Sequence, residues 1–332
     1  MPVASLDLGS LGDVEHWMPL ATPPWLARVP GPIGAFARRR QCEHDRAAPH
    51  LLAFDAALRT WARDHTDRRY RASFVLRAAI DRWAAAEVRR RKPSMVIAPS
   101  LAARHTFAAA REIGAATVLI LDVPLLRALH RDLDRAAGVW PERAFLRRFR
   151  APSSAIARQE AERVLADLIV VRGAYAHALC LADGIPESRL ARLPAPPSSL
   201  PAPPRATGRV RLAGLAAARH GVDTALAAVR RLGATLVVRV GEGTEPSDLA
   251  RLPGVATDDG PVDAIVCPAV CETYAAELAA SAIPVIASPM AALDGRGPDP
   301  YDVEAVTDAL RTATPHSPPA IEPLSPRLAR LL

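Results

Sequence analysis

Apolar positions along this chain switch repeatedly between helical spacing and short unbroken runs. Between Leu51 and Arg91 they recur as Leu52, Leu58 and Trp61, and then as Phe74, Val75, Ala78, Ile80 and Trp83, with arginines between them. That spacing predicts helices. Pro93 stops the second helix, and Ser94 to Pro99 is an apolar run suited to a buried strand. A helix through Ala103 to Ile113 is broken by Gly114, and Ala116 to Asp122 is the next strand, so the segment reads as a β-α-β crossover. A charged helical stretch covers Leu129 to Arg150, a helix Ala155 to Leu165, and a strand Ala166 to Val171; Gly173 then opens a helix that ends near Gly184. The first 50 residues hold several prolines and no strong period, with a candidate strand at Val3 to Leu8.

Six prolines fall within the eleven residues Pro194 to Pro204, which is linker composition. Beyond it the alternation restarts. Strands are expected at Arg209–Ala213, Ala234–Val240, Val262–Cys267 and Ile283–Ser288. Helices are expected at Gly221–Leu232, Ala275–Ala282 and Asp302–Thr312, the last introduced by a turn at Asp299–Asp302. Alternation of this kind predicts an α/β protein with parallel sheets covered by helices. A chain of 332 residues suits two domains. They are expected at 1–193 and 208–332, with 194–207 as the linker, giving two Rossmann-like lobes that face a cleft.

Composition refines this in few places. The net charge of +7 is uneven: residues 1–200 hold 30 Lys+Arg against 20 Asp+Glu, and residues 201–332 hold 12 against 15. Lysine occurs only at Lys92, so the many arginines reflect coding bias before chemistry. The densest runs, Arg38–Arg40, Arg89–Lys92 and Arg147–Arg148, suit solvated helix faces, or a peripheral contact of the N-terminal lobe with phosphorylated lipid head groups. Nucleic-acid binding is not expected, because no aromatic residues are interleaved with the arginines and no recognised module is present. Cys42, Cys180, Cys267 and Cys271 form no disulfide framework, and no second pair stands near Cys267 and Cys271 to complete a zinc site. With no secretory signal and no run of about 18 apolar residues, a soluble cytoplasmic protein is expected. A nicotinamide fingerprint is excluded, since Gly241-x-Gly243 is followed by Pro246 where a third glycine is required.

Several segments, in order, carry a resemblance. They are Glu160 to Gly173, Gly184 to Pro194, Gly214 with Arg219-His220-Gly221, Val240 to Gly243, Asp263 to Pro268, Glu272, and Glu277 to Ser288. This series resembles the family 4 type of GT-B glycosyltransferase, discontinuously from about Lys92 to Leu310. The resemblance implies transfer of a hexose from a nucleotide-diphosphate sugar to a glycan, lipid or small-molecule acceptor, with retention and without a metal or other cofactor. It assigns catalytic roles to Glu272, on the transferred sugar, and to Asp122, on the acceptor side. It assigns donor binding to Glu277, on the ribose, and to Arg219, His220, Gly214, Gly241 and Gly243.

The chemistry has an independent rationale. Breaking a sugar–diphosphate bond leaves negative charge that fixed donors in a dry cleft must meet, and helix N-termini and guanidinium groups supply them. Glycines at strand ends let backbone amides approach closely, and carboxylates hold hydroxyls. Four departures stand beside the matches. Leu215 replaces the family's phosphate-binding arginine, His220 its lysine, and Ala282 a glycine, while Glu272 and Glu277 lie closer together than the family's pair. Leu215, the shortened Glu272–Glu277 spacing and the short stretch between Gly243 and Asp263, which lacks room for the family's usual helix, favour an alternative: a GT-B scaffold with impaired catalysis that acts as a binding or partner subunit.

Overall fold

The computed structural model describes residues 57–58, 60–61, 66–121, 123–142, 150–192, 207–239, 254–258, 260–272, 283–292 and 295–313. The expected strand at Val3–Leu8, the helix at Ala275–Ala282 and the linker up to residue 206 lie outside them. The chain divides into two compact units, one of residues 1–117 and 151–166 with Leu332, the other of residues 118–150 and 167–331.

Two parallel sheets carry the architecture. The first has the order β1-β2-β3-β4, with β1 Met95–Pro99, β2 Ala116–Ile120, β3 Leu168–Val171 and β4 Leu190–Arg192. The second has the order β7-β6-β5-β8-β9, with β5 Arg209–Leu215, β6 Thr235–Arg239, β7 Val255–Ala256, β8 Ala264–Cys267 and β9 Val285–Ala287. Flanking them are α1 Thr66–Arg91, α2 Arg104–Glu112, α3 Leu126–Val139, α4 Ser153–Leu165, α5 Ala174–Ala182, α6 Val222–Arg231 and α7 Val303–Thr312. The α/β alternation expected from the apolar pattern is the one observed.

In the unit that contains α1, α2 and α4, buried carboxylates hold the backbone that leaves β1. Leu101 sits at φ +70, a costly conformation for a side chain with a Cβ. Both oxygens of the fully buried Glu162 accept from this turn, from Leu101 N at 2.6 Å and Ala103 N at 2.9 Å. Asp81, equally buried on α1, accepts from His105 N and Thr106 N at 2.9 Å and from Thr106 Oγ1 at 2.8 Å. It thereby caps α2, whose own N-cap residue, Ala103, has no side-chain oxygen to offer. Burial pushes the Glu162 carboxyl up to about 7, against the pull of the backbone donors of Ala103, Leu101 and Arg104.

The second sheet shows the period of two that a doubly covered strand must have. Val210, Leu212, Leu236, Val238, Ala264, Val266 and Ile286 pack with Val222, Leu226 and Val229 of α6 and Val306 and Leu310 of α7. Ala213, Val237, Ile265, Cys267 and Ala287 pack together in a separate cluster with Val262, Ala269 and Ile283. Asp263 anchors the start of β5, accepting from Thr207 N at 2.7 Å, Gly208 N at 2.6 Å and Arg209 N at 3.3 Å.

Four elements differ from expectation. β4 and β7 are short edge strands of three and two residues, too short to leave an apolar run. Helix α3 stops at Val139 rather than near Arg150, because Trp140 precedes Pro141 and a residue before proline avoids helical backbone. β5 runs on to Leu215 through an irregularity in its register with β6, where Gly214 takes φ +82.

Asp81→Ala leaves the amides of His105 and Thr106 without their acceptor, and is expected to cost roughly 2 kcal/mol. A fall of several degrees in Tm by calorimetry checks this; an unchanged Tm contradicts it.

Candidate functional site

The order of the second sheet defines a place before any side chain is considered. The chain enters at β5, winds outward through β6 to β7, and returns to β8 and β9 on the other side. Successive loops leave the carboxyl ends of β5 and β8 in opposite directions, and open α/β sheets bind ligands in the crevice so formed.

The loops at this switch point are fastened to each other. Arg219 and His220 lie on a single 3-10 turn, Ala218–His220, after β5. The Arg219 carbonyl accepts from Val270 N at 3.1 Å, in the loop after β8, and from Cys271 Sγ at 4.0 Å. Gly221 comes next at φ +76, and a Cβ there would stand 1.8 Å from the Pro268 carbonyl oxygen, so only glycine lets the two loops close. Gly214 is crowded in the same way, since a Cβ on it would lie 3.0 Å from Nδ1 of the buried His220. The loop after β9 joins through Ser288, whose hydroxyl donates to the Ala269 carbonyl at 2.7 Å.

Glu272 lies in the loop after β8. Its carboxylate accepts from Leu125 N at 3.4 Å, and burial, with Asp132 adding repulsion, pushes it up to about 7. A carboxyl in that range both donates and accepts protons near neutral pH. Asp132 is itself buried on α3. It accepts from the Tyr175 hydroxyl at 2.6 Å and from the Arg131 guanidinium at 3.1 Å. Burial first, and then the bond to Asp132, raise the Tyr175 phenol well above its ordinary range. Tyr301 stands near this group. Its ring lies 5.3 Å from that of Trp140, and the Arg135 guanidinium carbon is 5.0 Å from its centroid.

The structure therefore brings together Gly214, Arg219, His220 and the loop that carries Glu272. His220 is buried against Gly214, whereas Arg219 is only partly covered. Asp122, Glu277, Gly241 and Gly243 lie outside the described residues. Asp132, Tyr175 and Tyr301 belong to no motif in the sequence. One signal marks Asp132, which sits on the apolar stripe of its helix beside Leu129, Leu133 and Ala136, where a carboxylate needs a partner. Among the described residues no group of three or more His, Cys, Asp or Glu could hold a metal ion. No helix among them is long and apolar enough to cross a membrane.

No protein-family model matches the chain, and no curated protein does. Solved structures resemble it at low identity. The Staphylococcus aureus MnaA–UDP structure has a TM-score of 0.39 at 12% identity, over 71% of this chain and 71% of that one. The glycotransferase of kitacinnamycin has 0.37 at 15%, over 81% and 79%. Phytolacca americana UGT2 complexed with UDP-2-fluoro-glucose and pterostilbene has 0.36 at 12%, over 80% and 70%.

The shifted carboxyl of Glu272 makes a pH prediction. Its folded value, about 7, lies above that of an exposed glutamate, so the folded protein holds a proton that the unfolded chain releases. Its contribution to stability is full below about pH 4.5 and is lost as the pH rises through about 7. Urea unfolding at pH 5 and pH 8 should show a larger loss for the wild type than for Glu272→Gln; equal losses contradict the assignment.

Proposed function

We propose that the chain transfers a sugar, read as a hexose, from a nucleotide-diphosphate donor to a hydroxyl of a glycan, lipid or small-molecule acceptor. The observation that carries this reading is the convergence of Arg219, the glycine-closed turn before α6 and Glu272 at the switch point of the second sheet. In the reaction the bond between the anomeric carbon and the diphosphate oxygen breaks, and its electron pair leaves with the nucleoside diphosphate. The acceptor oxygen bonds to the anomeric carbon and releases its proton.

Each part of the site suits one of these demands. Arg219 and the amides opening α6 meet the charge on the departing diphosphate without a resident metal. Glu272 holds a hydroxyl of the sugar, with Glu277 on the ribose, Gly241 and Gly243 beside the nucleotide, and Asp122 on the acceptor side. Retention of configuration, cytoplasmic location and contact of the basic N-terminal residues with anionic lipid belong to the same reading.

A second reading is favoured by one observation. His220 stands where the resemblance expects a phosphate-binding lysine, and it is buried against Gly214. A subunit that binds the nucleotide without turning it over would tolerate that change.

Thermal-shift titration with UDP, GDP, TDP and ADP, followed by assay of diphosphate release from the matching sugar nucleotides, separates these readings. One diphosphate at about 100 times its Kd should raise Tm by roughly 5–10 °C, and Arg219→Ala should weaken it roughly tenfold. Release of diphosphate supports the transferase, and binding without release supports the second reading. No shift with any of the four overturns both.

A further inference from the structure

The turn Asp299–Asp302 is over-determined except at one atom. Tyr301 N donates to Asp299 Oδ1 at 3.0 Å, and Asp302 Oδ1 accepts from Ala305 N at 3.0 Å as the N-cap of α7. Between them the Pro300 carbonyl accepts from Thr224 Oγ1 at 2.8 Å, which pins the turn to the first turn of α6, just beyond the close approach at Gly221. The Tyr301 ring is fixed in turn, tilted 37° against Trp140 and covered by Arg135. Yet the Tyr301 hydroxyl is buried and has no hydrogen-bond partner among the described residues.

A buried hydroxyl left unpaired is costly, and such groups concentrate where a ligand completes them. Tyr175 offers the comparison within the same protein, because its hydroxyl is fully engaged, donating to Asp132 at 2.6 Å and accepting from Arg131 at 3.1 Å. The surroundings of Tyr301 point to the candidate site. Burial pushes its phenol up to about 12, and the titratable groups that act on it are Arg135, Asp132, Cys271 and Asp299. Cys271 precedes Glu272 and hangs on the Arg219 carbonyl, and Asp132 also acts on Glu272. With its proton retained at any physiological pH, the phenol is a donor that needs an oxygen.

We propose that the Tyr301 hydroxyl is a ligand-positioning group, which donates its hydrogen bond to an oxygen of the bound sugar diphosphate beside Glu272. This rests on the reading that the site takes a nucleotide-diphosphate sugar. Its role is to orient the donor, while Trp140 and Arg135 hold the ring in place.

The test is Tyr301→Phe, which removes only that oxygen. Two readouts are needed, both on the full chain. First, the ligand-free variant should melt at the same temperature as the wild type or higher, since an unpaired buried hydroxyl is lost; a clear fall in Tm would reveal a structural bond and overturn the inference. Second, titration with UDP, GDP, TDP and ADP and their glucose conjugates should give roughly 3- to 10-fold weaker binding of whichever ligand stabilises the wild type. Weakening of diphosphate and conjugate alike places the bond on the diphosphate, and weakening of the conjugate alone places it on the sugar; either supports the inference. Equal binding by both proteins overturns it while the nucleotide reading stands. Failure of all of these ligands to bind the wild type overturns that reading, and this contact with it.

Discussion

Parallel sheets with covered faces send their chain out at the carboxyl edge into loops whose amides and carbonyls cannot all reach water, and this protein must satisfy those groups from within. After β1 the partners are carboxylates: Glu162 and Asp81 take up the amides of Leu101, Ala103, His105 and Thr106. After β5, β8 and β9 the loops satisfy each other, through Arg219 to Val270 and Ser288 to Ala269. Both solutions need dense contact. At the second sheet that contact admits no Cβ at Gly221, where the Pro268 carbonyl stands. These contacts fasten the loops to one another, and preorganised loops at a switch point are what a site for a small polar ligand requires.

The same closeness sets the electrostatics. Burial raises Glu162 and Glu272 alike to about 7, but the two carboxyls are used differently. Glu162 spends both oxygens on backbone amides 2.6 and 2.9 Å away. Among the described residues Glu272 accepts one long bond, of 3.4 Å. Tyr175 and Tyr301 repeat the contrast, one hydroxyl engaged twice and the other without a partner among the described residues. Stability is thus given up at Glu272 and Tyr301, near the fastened loops, and secured at Glu162 and Tyr175.

Much of the fold was legible in the residues. The unbroken runs at Leu168–Val171 and Ala264–Cys267 became strands buried on both faces, whereas Met95–Pro99, at a sheet edge, fully buries only the alternate residues Val96 and Ala98. The turn at Asp299–Asp302 was legible from its aspartates, which accept from the backbone amides of Tyr301 and Ala305. β4 and β7 were not, because two or three residues at a sheet edge need no apolar pattern. The site divided along another line. Gly214, Arg219, His220 and Glu272 are legible as motif pieces because glycine and charged residues must stand at fixed offsets from a strand end. Tyr301 was not, since what marks it is the tryptophan it meets in space just past α3, and Asp132 was marked only as a carboxylate on the apolar stripe of α3, its partner Tyr175 lying on α5.

The central claim is that the loops after β5 and β8, locked together through Arg219 and Gly221, form the ligand site. Hydrogen exchange of the full chain, with and without a saturating nucleoside diphosphate, tests it most directly. Protection that includes peptides spanning residues 214–224 and 268–272 is the result this account predicts. Protection that appears at residues 100–106 instead, or no change at the switch point while the ligand is bound, would contradict it.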